Sequence, residues 1–164
     1  MKKPIKIAIG ISALLFVALF FTIRFEKPPE PLKAAAWHFP FATVRAYQLN
    51  WADQFSFDSI LGKDGLNETR MPKEGVLLSN EQIEVLRVAI LNREEGGVIG
   101  MCRYPHHAFV FFDGDGQVTG HYDVCFLCSN AGGSPKGFSG FPYYNDLNKL
   151  FTSLGMPITN PEWD

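Results

Sequence analysis

Alternating apolar and polar residues in the middle of the chain predict a β-hairpin. Residues 108–112 are apolar and rich in phenylalanine, residues 113–116 form a strong Asp-Gly-Asp-Gly turn sequence, and residues 117–126 return with regular alternation. One face of the returning segment carries Val118, Tyr122, Val124 and Phe126, and the other carries Gln117, Thr119, His121, Asp123 and Cys125. We expect the first set to face the core.

A two-residue loop at Gly114 and Asp115 fixes the expected register of this hairpin. The predicted opposite pairs are His106 with Asp123, His121 with Ala108, Cys125 with Tyr104, and Cys102 with Leu127. The side chains then expected on the face away from the core are Cys102, His106, His121, Asp123 and Cys125. His107 instead points into the apolar side.

Two amphipathic helices are predicted on either side of the hairpin. The first begins at a capping box of Ser79 and Gln82, ends at Gly96-Gly97, and has an apolar face of Ile83, Leu86, Ile90 and Leu91. The second spans residues 145–154, with Gly155 as a left-handed C-terminal cap and an apolar stripe of Leu147, Leu150, Phe151 and Leu154.

Residues 37–78, before the first helix, are expected to contribute one strand and one long loop. Residues 41–51 predict a strand through Val44, Ala46, Tyr47 and Leu49. Residues 58–72 carry glycine, asparagine and proline without apolar periodicity and predict an irregular loop. The fold class is therefore α+β, with an N-terminal transmembrane helix followed by one small antiparallel sheet that has two helices on one face.

An apolar run at the N-terminus indicates where the protein resides. Residues 7–23 carry no charge, three lysines precede them, and Arg24 closes the run. Seventeen residues are close to the shortest helix that spans a bilayer, and no small-residue cleavage site follows directly. We expect residues 1–24 to be a signal anchor; a cleaved signal peptide is the alternative, and a core helix is disfavoured because the run lacks a polar face.

The lysines orient the chain in the membrane. A positive N-terminal flank favours a cytoplasmic N-terminus, which predicts a single-pass protein of the bacterial inner membrane with its domain in the periplasm or outside the cell. Residues 25–36 are a proline-rich spacer, and residues 37–164 are the extracytoplasmic domain. Residues 34–164 carry a net charge of about −6, which argues against nucleic acid as a partner. A protein of the cell envelope is the partner that this location suggests.

Three cysteines and a histidine pair on the hairpin are the candidate chemistry. Cys102, His106, Cys125 and Cys128 supply the three thiolates and one imidazole of a tetrahedral zinc site, and the Cys125-x-x-Cys128 spacing suits one ion. Export favours oxidised thiols, so a structural disulfide from Cys102 to Cys125 or Cys128 is the second hypothesis. A redox pair of Cys125 and Cys128, with Cys102 as resolving thiol, is the third.

Other polar and aromatic residues are given simpler roles. His107 is interpreted as a residue at the edge of the core, and Asp53, Asp58 and Asp123 as solvated surface carboxylates. The glycine-rich segment 131–144 carries Phe138, Phe141, Tyr143 and Tyr144, which either anchor the loop to the core or form a recognition loop. The first of these two roles is favoured.

Two motifs together resemble a group of small exported bacterial proteins. They are Leu78-Ser79-x-Glu81-Gln82 with Leu86, and Cys102-x-x-Pro105-His106-His107 followed by Cys125-Phe126-x-Cys128. The resemblance covers residues 78–157 and implies a bacterial envelope protein whose cysteine hairpin is one unit. It implies no activity and no cofactor.

The sequence favours a non-enzymatic domain. It contains no Gly-x-Ser-x-Gly elbow, no phosphate-binding glycine loop and no His-Glu-x-x-His motif. The leading hypothesis is a membrane-anchored binding or interaction module stabilised by zinc. The alternatives are a thiol-disulfide redox protein and a disulfide-stabilised structural domain.

Overall fold

A computed structural model describes residues 37, 39–91, 103–135 and 141–159, which belong to one compact unit, Lys33–Asp164. A five-stranded antiparallel sheet and two helices confirm the α+β class. The elements are β1 (Thr43–Gln48), β2 (Leu61–Gly62), β3 (Gly65–Leu66), β4 (Met71–Leu77), α1 (Asn80–Leu91), β5 (His107–Phe112), β6 (Val118–Cys125), β7 (Asn130–Ser134) and α2 (Tyr144–Ser153).

The expected membrane segment and spacer, residues 1–36, lie outside the described residues. In the described part of the chain, no helix is long and apolar enough to cross a bilayer. The assignment of residues 1–24 and 25–36 therefore stays a prediction.

The large sheet has the strand order β4-β1-β5-β6-β7, and every neighbouring pair is antiparallel. The predicted strand at residues 41–51 is β1, and the predicted hairpin is β5 with β6. Strands β2 and β3 form a separate two-stranded hairpin within residues 58–72, where the sequence predicted only loop.

Both predicted helices are present, and their end signals are formed. At the start of α1 the Ser79 N–H donates to Gln82 Oε1 (2.9 Å), and the Gln82 N–H donates to Ser79 Oγ (3.3 Å). After α2, Gly155 adopts a φ of 75°, the left-handed conformation expected of a C-terminal cap. The predicted end of the first helix, Gly96-Gly97, lies outside the described residues.

The central strands β1, β5 and β6 are buried or half-buried on both faces of the sheet. On one face, alternate residues of β5 and β6 pack with both helices in a cluster that includes Phe109, Phe111, Tyr122, Val124, Leu86, Leu147 and Phe151. On the other, a smaller cluster consists of Tyr47, Leu49, Ile60, Ala108 and Val110. Residues 50–70, here called the covering segment, supply Ile60 to this second cluster, with Leu61 and Leu66 packed against it. The face expected to point away from the core is therefore a second buried layer.

The predicted register of the hairpin is wrong by two residues, but the predicted core face is right at Tyr122 and Val124. The loop has three residues, since the Asp113 N–H donates to Gln117 O (2.9 Å) and Gly116 has a φ of 79°. A bulge next to Phe112 adds the second residue, so that Ala108 lies opposite Asp123. One extra residue moves a strand to its other face and a second moves it back. Only the part between them is reversed, and Val118 accordingly packs with the second cluster.

Strand β4 was not predicted, because its sequence lacks alternation and contains Pro72 and Gly75. It lies at the sheet edge, where a proline can be accommodated. Its pairing with β1 is irregular opposite Tyr47, where Gly75 has a φ of 69°. A Cβ on Gly75 would lie 2.4 Å from Cζ of the Tyr47 ring, so this position needs glycine for both conformation and space.

Replacing Gly75 with alanine is expected to lower the free energy of unfolding by at least about 2 kcal/mol, from left-handed strain and overlap with the Tyr47 ring. Urea unfolding measures the change. Gly114→Ala is the matched control, because no atom lies within 4 Å of the added methyl. Equal stability of the two variants would contradict the described close approach.

Candidate functional site

Asp123, which the sequence assigned to the solvated surface, is buried in the middle of β6 with 1% of its surface exposed. Its carboxylate accepts hydrogen bonds from the covering segment: Ser59 Oγ donates to Oδ2 (2.6 Å), and the Ile60 N–H donates to Oδ1 (3.1 Å). The covering segment is therefore fixed to the sheet by a buried polar clamp. The predicted surface role of Asp123 is wrong.

Arg103 and His121 lie beside this carboxylate. Arg103 Nη2 is 3.4 Å from Asp123 Oδ2 and donates to Gly132 O at 3.2 Å. His121 Nε2 is 3.9 Å from the same carboxylate oxygen, which is too far for a hydrogen bond. Burial raises the pKa of Asp123, although the hydrogen bond from Ser59 opposes that shift. Burial lowers the pKa of His121, which favours its neutral imidazole.

These groups line an open cleft of about 330 Å³, whose walls are formed by Phe57, Ser59, Arg103, His121, Asp123 and Gly133. The order of the polar groups does not match a serine hydrolase, because Ser59 donates directly to Asp123 and the imidazole is not between them. The two closest contacts of the carboxylate, from Ser59 and Ile60, hold the covering segment. The arrangement is suited to binding a ligand at its rim rather than to relaying a proton.

An exposed aromatic group stands at one side of the cleft. Phe55 and Phe57 are 64% and 70% exposed. The Tyr104 ring contacts both, with ring centroids 5.5 Å from Phe55 and 4.6 Å from Phe57. Phe57 lines the same cleft as Arg103, so the aromatic group adjoins the guanidinium.

The cysteines are in two different states. Cys125 is a buried free thiol, while Cys128 is disulfide-bonded. Burial raises the pKa of the Cys125 thiol, with backbone N–H groups near the sulfur opposing the shift. Cys102 lies outside the described residues.

The predicted zinc site is not assembled in the described ranges. Within residues 37, 39–91, 103–135 and 141–159, no group of three or more His, Cys, Asp or Glu side chains is placed to hold a metal ion. Cys128, a predicted ligand, offers no thiolate while its sulfur is in a disulfide. Zinc ligation by Cys102, His106, Cys125 and Cys128 therefore stays a prediction that applies to a chain with that disulfide reduced.

His106 holds the covering segment instead of facing solvent. It is 3% exposed, and its Nε2 and Nδ1 lie 3.0 Å from Gln54 O and 3.4 Å from Leu49 O. Burial lowers its pKa. This imidazole therefore belongs to the packing of the second layer.

His107 points into the helix side of the sheet, as predicted. Its Nε2–H donates to Pro157 O (2.8 Å), and its ring packs 4.7 Å from the Phe151 ring and 5.2 Å from the Phe126 ring. Nδ1 is buried without a hydrogen-bond partner among the described residues. Burial lowers the pKa of this imidazole to about 4.

Asn50 ties the two ends of the covering segment together. It has a φ of 53°, and its Nδ2 donates to Asp58 O (2.7 Å) and Pro105 O (3.1 Å). Its Oδ1 accepts from Asn67 Nδ2 (3.3 Å) and Thr69 Oγ1 (3.0 Å). Asn67 Nδ2 also donates to Ser59 O at 3.2 Å, so this network continues to the residue that holds Asp123.

The segment 131–144 is only partly a loop. Its first residues belong to β7, and residues 136–140, which include Phe138, lie outside the described residues. Tyr143 and Tyr144 pack against the helix-side cluster, as the anchoring hypothesis predicts for them.

Sequence reasoning missed Ser59 and Arg103 and misjudged Asp123. Ser59 lies in a segment without apolar periodicity. Arg103 lies just before the hairpin, where no pattern in the sequence marks it as a partner of Asp123. The sequence held no local signal for the burial of Asp123, because a carboxylate that alternates with Tyr122 and Val124 is also the pattern of a strand with one solvated face.

Comparisons of the chain with protein-family models, with curated proteins and with solved structures found no match. The function of this site is therefore argued from its geometry and chemistry.

Removing the Asp123 carboxylate is expected to release the covering segment. Asp123→Ala leaves the Ser59 hydroxyl and the Ile60 N–H buried without their acceptor, which costs about 2–4 kcal/mol of unfolding free energy. Hydrogen exchange should show faster exchange of the Ile60 amide. Asp58→Ala, at an exposed carboxylate, is the control. An Ile60 amide equally protected in the Asp123 variant would refute the clamp.

The stability of the domain is expected to fall on acidification because of His107. Its pKa in the folded protein is about 4, below the ordinary histidine value of 6.5, so the unfolded chain binds the proton more strongly between these two pH values. The contribution of neutral His107 to the free energy of unfolding is fully present above pH 6.5. It is lost as the pH falls toward 4, and the total loss is about 3 kcal/mol.

Urea unfolding of wild type and His107→Gln across this pH range tests the expectation. The glutamine can still donate to Pro157 O but does not titrate, so its unfolding free energy should fall less steeply, by up to about 1.4 kcal/mol per pH unit. Identical slopes in the two proteins would show that His107 does not contribute.

Proposed function

We propose that this chain is a disulfide-stabilised extracytoplasmic binding domain, tethered to the bacterial inner membrane by residues 7–23, and that it is not an enzyme. The observation that carries the proposal is the pair of cysteine states: Cys128 is bonded and Cys125 is a buried thiol. Stable disulfides are typical of compartments outside the cytoplasm, which agrees with the expected anchor. The cleft beside Arg103 is the proposed binding surface.

The pairing follows from the number of cysteines. The chain has three, and Cys125 is the free one, so we infer that Cys102 is the partner of Cys128. Such a bond would close a loop around the hairpin and join its two open ends. Closing a loop of this length stabilises a domain by about 2–4 kcal/mol.

The redox alternative is less favoured by the same observations. A redox-active thiol is exposed and has a lowered pKa, whereas Cys125 is 1% exposed and its pKa is raised by burial. The Cys125 thiol is thus a poor nucleophile at neutral pH. A zinc-stabilised interaction module remains the proposal for the reduced chain, because only then are the predicted thiolates available.

Peptide mapping of the full chain, purified in detergent without a metal-affinity tag or reductant, tests the disulfide. After alkylation under denaturing conditions, we expect Cys102 linked to Cys128 and only Cys125 alkylated. Alkylated Cys128, or a bond between Cys125 and Cys128, would contradict the proposal. A native mass one zinc above the apo chain, lost with a chelator, would support the zinc hypothesis instead.

Matched variants connect the bond to stability. Cys128→Ala should lower the unfolding free energy by about 2–4 kcal/mol under oxidising conditions and much less after reduction of both proteins. Cys125→Ala should show the same small change in both conditions, because it removes packing and no bond. Equal dependence on reductant in both variants would count against a structural disulfide.

A further inference from the structure

We propose that the cleft beside β6 binds a monoanionic carboxylate that carries an aromatic or other apolar group. This inference rests on the proposed function, because it names the ligand of the same surface. The juxtaposition that carries it is a half-exposed guanidinium, Arg103, next to the exposed Phe57 ring on the walls of one cleft.

Arg103 has N–H groups that can donate to a ligand. Its side chain is 47% exposed, and both of its contacts, to Asp123 and to Gly132 O, are made by Nη2. An arginine carries five N–H groups, two of them on Nη2. Three N–H groups, on Nε and Nη1, therefore have no acceptor among the described residues, and carboxylates are preferred partners of this fork-shaped cation.

The charged groups of the cleft favour an anionic ligand over a cationic one. Both oxygens of Asp123 already accept hydrogen bonds from Ser59 and Ile60, so this carboxylate is a poor ligand for an incoming cation. Burial lowers the pKa of His121, which favours its neutral imidazole. Among the described residues that line the cleft, Arg103 is the one permanent cation, so a single negative charge suits the site better than a phosphate dianion.

Phe57 forms an apolar wall of the cleft. Phe57 is 70% exposed while its ring is held against Tyr104 at 4.6 Å between centroids. A fixed, exposed ring beside a cation favours a ligand that has an apolar body next to its anionic group. The volume of about 330 Å³ is near the lower end for small-molecule sites, which limits the ligand to about one ring and a short chain.

Part of the cleft wall is backbone. Gly133 of β7 contributes no side chain, and a Cβ there would lie 1.8 Å from His121 O. The cleft can therefore not be narrowed by a side chain at this position without separating β7 from β6.

A free aromatic acid and the C-terminal residue of a peptide that ends in phenylalanine have the same chemistry at such a site.

The test uses the full chain in detergent micelles with ¹⁵N-labelled arginine, and 3-phenylpropanoate as the probe. We expect the Arg103 Nε–H resonance to shift saturably, and the neutral 3-phenylpropanamide to bind at least tenfold more weakly. Arg103→Gln should weaken binding of the acid at least tenfold, and Phe57→Ala several-fold. In Arg103→Gln, binding of the acid is measured by equilibrium dialysis.

Arg87→Gln is the matched control, because Arg87 pairs with Glu84 on α1 and does not line the cleft; its binding should equal that of wild type. Acetyl-Gly-Phe and its C-terminal amide distinguish the two sources. Tighter binding of the peptide acid than of 3-phenylpropanoate indicates a peptide C-terminus, and the reverse order indicates a free aromatic acid; both support the inference.

Equal binding of acid and amide, or no effect of Arg103→Gln, would overturn it. Peptide mapping of the same samples separates this failure from that of the proposed function. An intact Cys128 disulfide without carboxylate binding rejects the ligand class alone, whereas a reduced Cys128 rejects the disulfide-stabilised domain whatever the ligand.

Discussion

A carboxylate in the middle of a buried strand is tolerated only when donors surround it, and at Asp123 two of those donors come from a segment with almost no regular structure of its own. The second layer of the fold depends on this contact. Without the covering segment, Asp123 would face water and the apolar residues of its face would be exposed. Without Asp123, the Ser59 hydroxyl and the Ile60 N–H would lose their acceptor. Sheet and covering segment therefore stabilise each other, and neither is complete alone.

The same clamp determines the chemistry of the cleft. Because the covering segment satisfies Asp123, the arginine beside it is only partly neutralised and keeps donors for a ligand. Because that segment also carries Phe57, the position of the aromatic wall follows from the position of the carboxylate. Structural and binding roles are thus divided within one group of residues. Asp123 and Ser59 hold the walls, whereas Arg103 and Phe57 face the solvent.

The elements that could be predicted are those whose signals are local. The signals of the capping box at Ser79, the glycine after α2 and the strand β6 are each contained within a few residues, and each of these features is found in the structure. Edge strands β4 and β7 carry glycine or proline and no apolar alternation, so their pairing is decided by the neighbouring strand. The hairpin register failed because a turn residue and a bulge residue each add one position. The role of Asp123 depends on a partner 64 positions away, which no local pattern reveals.

The hydrogen bonds of Asn67 limit how this protein can be produced. The sequence Asn67-Glu68-Thr69 is an acceptor site for N-linked oligosaccharide in eukaryotic secretory cells. Transfer occurs on the nitrogen that here donates to Asn50 Oδ1 and Ser59 O, and the sugar replaces one of its two hydrogens. A chain glycosylated before folding would bring a bulky polar group to the joint between the covering segment and the sheet. Secretion from yeast or mammalian cells is therefore expected to yield a poorly closed second layer, whereas a bacterial periplasm leaves the joint intact.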